Sequence, residues 1–471
     1  MITAESIKKR LVKSFKAKPC RACEYSDKMI MELLSVGLEA ADPTVAVTRF
    51  ISSDGKKIML DEEGRRAVDI SEGCYVIGFG KAVVGMMRGI LDRSEEYVKD
   101  SCIIVPKTRF IKSDVEYLVN RGVEVLYGGF PLPNNDTINS SYRLLDFIMD
   151  TDEEATIVVL VSGGGSSLFE IPFENISLDE LVKAYYTMMI HGLNVKERAV
   201  VKKHLSKVKG GRLASIIHPR RTVTLVLSSV FDDDISAVAS GPTVPDPSTY
   251  EDAKNILVYN KLWRVMPTSI ERTIMEGIEG LIPETPKPGE PIFDNVDNVI
   301  VGSGRIGLKM MRAYAESKGY NVFLLTSRFE GEAREVSKVI GALIEEIYKD
   351  NNPIEPPAVL LIGGETTVTL KGDGIGGRNQ ELLLPLISRI AGMHGVSIIA
   401  FNTDGRDGIS PAGGAVIDGC TMLETMKYGL SIEDALEKND SYTFFNSLRR
   451  ALVTGDTGTD VNDYIIVLIS I

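Results

Sequence analysis

A run of apolar residues that ends directly in glycines, with a helix after it, recurs along this chain and restricts its fold more than any other feature. The clearest copy is residues 156–167, TIVVLVSGGGSS. An apolar run without polar alternation is typical of a strand that is buried on both faces of a parallel sheet. The pattern therefore predicts an α/β fold in which glycine-rich loops follow the strands.

The loop in this copy has the chemistry of an anion site. Glycines leave backbone N–H groups uncovered, and such groups can surround a phosphate while serine hydroxyls add further donors. A flexible surface linker is the weaker interpretation, because the strand runs into the loop without a spacer. We predict that the loop binds the phosphates of a cofactor through Ser162, Gly163, Gly164, Gly165, Ser166 and Ser167.

A second copy, residues 75–90, carries a lysine at the start of its helix. Lys81 follows Gly78-Phe79-Gly80. A helix N-terminus attracts anions, and a lysine there adds a full positive charge. The segment is not a Walker A loop, which needs four residues between its glycines and a hydroxyl residue after the lysine. A solvated lysine at an ordinary turn is the alternative; we predict that Lys81 holds a phosphate.

A third copy, residues 360–382, places an arginine after its glycines. The sequence predicts a buried strand that ends in Gly363-Gly364, a short second strand over 366–370, a turn-rich loop, and a helix that begins near Arg378. The planar guanidinium group suits a phosphate or a carboxylate. A β-hairpin with a solvated arginine is the alternative. We predict an anion site in which Arg378 acts with two cofactor contacts, Gly364 and Glu365.

Basic and acidic segments extend this picture. Residues 200–213 predict a basic helix, of which most lysines are expected to be solvated while Lys203 reaches the cofactor. Acidic turns follow the predicted strands 222–229 and 397–400. Their carboxylates, Asp233 and Asp404, suit a magnesium ion, bound directly or through water. For the first turn, a helix N-cap with acidic residues is an equal alternative.

Residues 298–315 contain Gly302-x-Gly304-x-x-Gly307 between a predicted strand and a predicted helix, which is formally a dinucleotide-binding fingerprint. The next strand ends in Ser327-Arg328, without the carboxylate that the ribose of NAD requires. The segment would at best suit NADP.

Length and proline content predict two domains. The chain has 471 residues, more than the roughly 250–300 at which a single core stops growing. Four prolines fall in the ten residues 282–291, a composition that cannot form a helix or a central strand. We therefore predict an N-terminal domain over 1–285 and a C-terminal domain over 292–471.

Charge and hydropathy exclude several classes of partner. A net charge of -12 would repel nucleic acid, and no apolar run approaches the roughly 20 residues that span a bilayer. The charged start of the chain does not resemble a signal peptide, so a cytoplasmic protein is expected. Five cysteines do not suggest a disulfide framework. For Cys20 and Cys23, two free thiols are favoured over a metal or redox pair.

Seven long motifs together resemble those of the class II glycerate kinases, also called the MOFRL family. They are SGGGSS (162–167), KKHLSKVKGGRLA (202–214), ASGPTVPDPSTY (239–250), GGETTVTLKGDGIGGRNQE (363–381), TDGRDGISPAGGAVIDG (403–419), NDSYTFF (439–445) and TGDTGTDVND (454–463).

The resemblance implies two Rossmann-like α/β domains with mostly parallel sheets and an active site in the cleft between them. It implies ATP-dependent, magnesium-requiring phosphorylation of D-glycerate, usually to 2-phosphoglycerate, and it matches Lys81 and Arg378 to the lysine and arginine regarded as catalytic. In this hypothesis the triphosphate lies along 162–167, while Lys81 and Arg378 bracket the transferred group and the glycerate carboxylate. The alternatives are 3-phosphoglycerate as product, or an NAD(P)H-dependent hydroxypyruvate reductase. A homodimer is one option for its assembly.

Two positions depart from the family pattern. Residues 228–234 read SSVFDDD where Ser-Asp-Val-x-Gly-Asp-Asp is expected, and Phe130 precedes Pro131 where relatives often carry Gly-His-Pro. These differences argue against a ligand role for positions 229 and 130.

Overall fold

The computed structural model describes residues 9–11, 13, 24–107, 112–230 and 232–470, so the Cys20–Cys23 segment lies outside the described residues. The chain forms two compact units. The N-terminal unit is Pro43–Val301, and the C-terminal unit combines Met1–Asp42 with Gly302–Ile471. The helix α1 (Glu24–Ala40) thus belongs to the C-terminal unit.

The N-terminal unit alternates strands and helices. Its elements in chain order are α2 (Pro43–Thr48), β1 (Lys57–Met59), β2 (Ala67–Asp69), β3 (Cys74–Phe79), α3 (Val83–Ser94), β4 (Val98–Pro106), α4 (Lys112–Val119), β5 (Glu124–Gly128), α5 (Asn135–Met149), β6 (Thr156–Ser162), α6 (Gly165–Leu168), α7 (Leu178–Ile190), α8 (Val195–Lys203), α9 (Arg212–Ile217), β7 (Arg221–Leu227), α10 (Tyr250–Tyr259), α11 (Thr268–Ile278) and β8 (Val296–Gly302). Single 3₁₀ turns lie at Glu95–Tyr97, Val238–Ser240, Trp263–Val265 and Pro291–Phe293.

Six of these strands form one sheet in the order β5-β4-β3-β6-β7-β8, and β1 pairs with β2 in a separate antiparallel ribbon. The pairs β3·β4, β4·β5, β3·β6 and β6·β7 are parallel. Numbered within the sheet, this order is 3-2-1-4-5-6, which is that of doubly wound nucleotide-binding sheets. In such sheets the strand order reverses between the first and fourth strands, here β3 and β6.

The apolar runs are buried on both faces, as their sequences predict. Along β6, Ile157 and Val159 join a core with Leu144 and Phe147 of α5, while Val158 on the opposite face is also fully buried. A second core forms among α7, α8, α10 and α11. The α/β class is therefore confirmed for this unit.

The proline-rich stretch is part of the N-terminal unit. The Arg212 guanidinium donates to the Pro283 carbonyl at 2.9 Å, and the Tyr250 N–H donates to Glu284 at 2.9 Å. The Asp246 N–H donates to the Pro286 carbonyl at 2.9 Å. After this stretch, β8 joins the same sheet. The structure therefore divides the chain at Val301 and Gly302, which differs from the predicted division at 285–292.

The C-terminal unit contains a second sheet. After α1, its elements are α12 (Gly304–Ser317), β9 (Asn321–Phe329), α13 (Ala333–Asp350), β10 (Ala358–Gly364), α14 (Arg378–Arg389), β11 (Val396–Asn402), β12 (Gly414–Asp418), α15 (Thr421–Lys427), α16 (Ile432–Glu437), α17 (Ser441–Ser447), β13 (Ala451–Leu452) and β14 (Asp463–Ile469). The strand order is β13-β12-β11-β14-β10-β9. Only β9·β10 is a parallel pair among them, so this sheet is mixed rather than mostly parallel.

The N-terminal helix α1 packs against α12 and β14. The Tyr314 hydroxyl donates to Glu32 at 3.0 Å. Gly37 lies at the crossing point, where an added Cβ would be 2.8 Å from Met311 Cε and 3.2 Å from the Tyr464 ring. These contacts explain why the first 42 residues belong to the C-terminal unit, although the predicted N-terminal domain includes them.

Three predicted elements differ in the structure. The alternation over residues 45–50 predicts a strand, but these residues lie mostly in α2, which Pro43 begins with a fixed φ suited to a helix start. The helix predicted over 200–213 ends at Lys203, and Gly210 and Gly211 have left-handed φ of 57° and 82°. Over 366–370 there is no strand, and Thr367 forms one isolated bridge with Glu332.

Among the described cysteines, Cys74 and Cys102 are buried free thiols, whereas Cys420 is disulfide-bonded, which the sequence did not suggest. Burial raises the pKa of both free thiols to about 12. Within the described ranges, no helix is both long enough and apolar enough to cross a membrane.

The crossing of α1 and α12 gives a test of this unit. We expect Gly37→Ala to lower the free energy of unfolding by about 1–3 kcal/mol, because overpacking at the contact with Met311 outweighs the better helix propensity of alanine. Urea denaturation measures the change. Glu39→Ala, at an exposed position of the same helix, is the control and should change little. A higher free energy of unfolding for Gly37→Ala than for the wild type would contradict the close packing of Gly37 against Met311.

Candidate functional site

In the N-terminal unit, the loops after β3 and β6 lie against each other at the point where the strand order reverses. The Lys81 N–H donates to the Gly163 carbonyl at 2.9 Å, and the Ala82 N–H donates to Ser162 Oγ at 3.0 Å. Gly80 has a φ of 145°, and a Cβ there would meet Ser162 Oγ at 2.1 Å. Ligands of doubly wound sheets bind at this reversal, outside the carboxyl ends of the strands. The structure therefore brings Lys81 and the loop 162–167 together.

Phe130 also borders this loop. The Lys81 ammonium lies 5.3 Å from the centre of the Phe130 ring. Gly164 is left-handed, with a φ of 83°, and a Cβ there would be 3.0 Å from Lys81 Cγ and 3.1 Å from the Phe130 ring. A larger residue at Gly164 would displace both side chains, so this glycine permits their close approach.

The three serines of the loop have partners inside the fold. Ser162 accepts the Ala82 N–H, and Ser167 donates to the Pro131 carbonyl at 2.6 Å. Ser166 Oγ lies 2.9 Å from Ser240 Oγ and is the most accessible of the three. The buried pair Ser162 and Ser167 thus shapes the loop, and the backbone N–H groups with Ser166 are better placed for a ligand.

Lys203 lies in a buried ion pair. Its ammonium is 3.1 Å from Asp246, and both side chains are almost fully buried. Burial tends to raise the pKa of Asp246, but Lys203 and the Ser248 hydroxyl outweigh it, and the pKa falls below its ordinary value. The predicted contact of Lys203 with a cofactor would require this pair to separate, so the geometry favours a structural role.

A second buried charge cluster, absent from the sequence prediction, supports the segment that follows the loop 162–167. Lys209 Nζ donates to the Phe169 carbonyl at 2.7 Å and lies 2.9 Å from Glu170, which also accepts the Tyr185 hydroxyl at 2.5 Å. The Lys202 ammonium lies 4.3 Å from the centre of the Tyr185 ring, and burial lowers its pKa to about 7. The lysines that were expected to be solvated are therefore partly internal.

The acidic residues after β7, at positions 232–234, are half-buried. Asp232 forms an ion pair with Lys196, and Asp234 lies 3.8 Å from the same ammonium. Asp233 has a left-handed φ of 58° and is half-buried. No α-helix begins at this turn, since the next element is the 3₁₀ turn at Val238–Ser240.

In the C-terminal unit, Arg378 is the first residue of α14 and forms ion pairs with two carboxylates. Its Nε and NH2 donate to the two oxygens of Asp463 at 2.6 and 3.1 Å, and its NH1 donates to Glu365 at 2.7 Å. Burial tends to lower the pKa of Arg378, but the attraction of both carboxylates outweighs it and raises the pKa. The arginine is therefore a permanent cation.

Asp407 holds the start of α14. Its two carboxylate oxygens accept the backbone N–H and the side-chain amide of both Asn379 and Gln380, at 2.8 to 3.2 Å. Gly377 comes so close that a Cβ would lie 2.3 Å from the Asp407 backbone. Burial raises the pKa of Asp407, and these four donors oppose that rise. The acidic turn at 404–407 thus positions Arg378.

Two further predicted residues of this unit, Gly364 and Asp404, have local contacts of their own. Gly364 ends β10 with a φ of 157°, and the absence of a side chain there avoids a clash, because an added Cβ would lie 2.1 Å from the Phe329 carbonyl oxygen. Asp404 is half-buried and accepts the Arg406 N–H at 2.8 Å. Asn439 holds the loop before Arg378 by accepting the N–H groups of Lys371 and Gly372 at 2.7 and 2.9 Å.

Sequence reasoning missed Asp463 as the partner of Arg378. The signal was a single carboxylate at the start of the apolar run 464–469. Burial raises the pKa of Asp463 to about 6, against the effect of the guanidinium. We take the bidentate contact with a permanent cation to keep this carboxylate ionised near neutral pH.

Two of the three glycines of the fingerprint 302–307 are explained by packing within the C-terminal unit. A Cβ at Gly307 would lie 2.0 Å from the Tyr464 hydroxyl, and one at Gly304 would lie 2.7 Å from the Val461 carbonyl. Ser303 caps α12 by accepting the Ile306 N–H at 3.4 Å.

Comparison with known proteins identifies the family. Residues 29–275 match the model described as a domain of unknown function, DUF4147, and residues 358–463 match the MOFRL family. The glycerate 2-kinase of Pyrococcus horikoshii is 36% identical over 441 residues, 93% of this chain and 96% of that protein. The chain belongs to the class II glycerate kinases.

Other members of this class II family agree with this assignment. The D-glycerate 2-kinase of Thermotoga maritima is 34% identical over 446 residues, 95% of this chain and 99% of that protein. The crystal structure of the Thermotoga maritima glycerate kinase superposes with a TM-score of 0.80 at 33% identity, covering 95% of this chain and 100% of that one. A Pyrococcus horikoshii crystal structure gives the same TM-score at 34% identity, covering 94% and 98%.

The cap of α14 gives a second test. We expect Asp407→Asn to lower the free energy of unfolding by about 1–3 kcal/mol, because the amide nitrogen leaves buried donors without an acceptor. Chemical denaturation followed by circular dichroism measures the loss. Asp373→Asn, an exposed position in the preceding loop, is the matched control. Equal stability of the two variants would show that Asp407 does not hold the helix.

Proposed function

We propose that this protein transfers the γ-phosphoryl group of ATP to D-glycerate and forms 2-phospho-D-glycerate. The observation that carries the proposal is the similarity to proteins named glycerate 2-kinase over more than nine-tenths of the chain. Each unit also contains a cation beside a glycine-rich loop, which suits a reaction between two anionic substrates.

The N-terminal unit binds the triphosphate in this proposal. The loop 162–167 follows β6, Lys81 follows β3, and α3 begins two residues after Lys81, at Val83. Backbone N–H groups, a helix N-terminus and an ammonium group together form an anion site. The Phe130 ring lies beside the Lys81 ammonium.

The C-terminal unit binds the acid. Arg378 has a planar group that matches a carboxylate, and Asp463 fixes its orientation through two hydrogen bonds. Phosphoryl transfer depends mainly on position and on stabilisation of negative charge. In our proposal a fixed guanidinium supplies both to the hydroxy acid, and Lys81 stabilises the charge on the transferred group.

A magnesium ion would enter with ATP. Such ions usually bind through one or two carboxylates together with substrate phosphates and water. Over the described residues there is no group of three metal-binding side chains. Asp233 and Asp404 are half-buried carboxylates in the turns that follow β7 and β11, and they are our candidates to hold the ion or orient the acceptor hydroxyl. The ion would neutralise charge on the triphosphate.

A reductase activity has less support. The residues of this chain that would serve it are those of the glycine fingerprint 302–307, and contacts with Tyr464 and Val461 already require small residues at Gly307 and Gly304. These two glycines therefore do not need a dinucleotide to explain them.

The product assay tests the proposed activity. We expect ³¹P NMR of a mixture of the protein, ATP, magnesium and D-glycerate to show a 2-phosphoglycerate resonance that grows with time. Omission of D-glycerate should remove it. A 3-phosphoglycerate resonance would contradict the regiochemistry, and a mixture with no new phosphate ester would contradict the kinase.

Replacement of the two cations tests the site. We expect Lys81→Ala and Arg378→Ala each to lower kcat/KM by about 10²-fold or more, since each removes a charge that stabilises the transition state. Lys99→Ala and Arg312→Ala are matched controls on exposed ion pairs and should stay near the wild-type rate. Circular dichroism verifies that the variants fold. Near-normal rates in either alanine variant would refute that residue's role.

A further inference from the structure

The two carboxylates that contact Arg378 differ in how firmly they are held. Asp463 is the first residue of β14, and its backbone pairs with Gly364 of β10 on one side and Asn402 of β11 on the other. Its side chain is 4% exposed and makes two hydrogen bonds to the guanidinium. Asp463 is therefore a fixed part of the sheet.

Glu365 is held less firmly. It follows the end of β10, where its N–H donates to the Phe329 carbonyl at 2.9 Å. Its side chain is 41% exposed, and one oxygen accepts NH1 of Arg378. The longer side chain can rotate toward solvent without moving the backbone. Of the two ion pairs, the one with Glu365 is therefore the easier to exchange.

NH1 of Arg378 thus donates to the carboxylate of Glu365, and the carboxylate of a bound ligand can accept the same hydrogen bond in its place. Nε and NH2 remain on Asp463, so the guanidinium keeps its orientation when NH1 changes partner. The new partner must be an anion with an oxygen in the plane of the guanidinium, since this plane fixes the direction of the N–H bonds.

We propose that Glu365 is a competing internal partner for NH1 of Arg378 and that the carboxylate of D-glycerate replaces it on binding. This rests on the proposed function, and it changes the role of Glu365 from a cofactor contact to a determinant of substrate affinity. A neutral ligand would replace a charge-assisted hydrogen bond with a weaker one, so the competition favours hydroxy acids over neutral polyols.

Glu365→Gln tests the exchange. A neutral amide competes less well for a guanidinium, so the variant should bind D-glycerate about twofold to fivefold more tightly than the wild type, the range of an exposed ion pair. Isothermal titration calorimetry at fixed ionic strength measures this affinity, and steady-state kinetics should show a lower KM for D-glycerate with KM for ATP unchanged. Glu335→Gln removes an exposed glutamate that pairs with Lys338 and controls for net charge.

Inorganic sulfate separates this inference from the proposed function. Sulfate needs only the cationic group, so Glu365→Gln should bind it more tightly even if D-glycerate is not the substrate. If the wild type binds no D-glycerate, the proposed function fails and the sulfate titration decides the exchange. Equal or weaker sulfate binding by Glu365→Gln, or a raised KM for ATP, would overturn the competition. If Glu335→Gln raised the affinity for the anion as much as Glu365→Gln does, the competition would also be overturned, because the change in net charge alone would explain both results.

Discussion

The ion pair between Arg378 and Asp463 is the interaction on which the candidate site of the C-terminal unit depends. It joins the first residue of α14 to the first residue of β14, and these are far apart in sequence. Because β14 pairs with both β10 and β11, the carboxylate is fixed by the centre of the sheet. Asp407 then fixes the backbone beside Arg378, because it caps the start of α14. An arginine held in this way keeps its direction while its last N–H group remains exchangeable.

In the N-terminal unit, the cation of the candidate site is a lysine instead of an arginine. Lys81 has a flexible stem, and it lies against the backbone of the loop 162–167 and near the Phe130 ring. A lysine acts as a compact charge, whereas an arginine matches a planar group. Lysine therefore suits a phosphate whose geometry changes during transfer, and arginine suits a carboxylate that does not change.

Local patterns predicted much of this arrangement. The apolar runs ending in glycines identified β3, β6, β10 and the loops after them, because burial on both faces leaves a continuous apolar signature. Glycine also marked places of close approach, as at Gly164 beside Lys81. The sequence alone therefore predicts Lys81 beside a glycine loop and Arg378 at the start of a helix.

The remaining features depend on partners that are distant in sequence. Nothing in the run 463–469 indicates that it lies between β10 and β11, and so neither the mixed sheet nor the contact of Asp463 was predicted. Lys203 has the composition of a surface lysine, yet it is buried because Asp246 and the segment 283–286 enclose the end of α8. The sequence shows how many charged side chains a helix has, whereas the fold determines which of them reach solvent. The same limit explains Glu365: the sequence predicted it as a cofactor contact, and only the contact with NH1 indicates that it competes for the arginine.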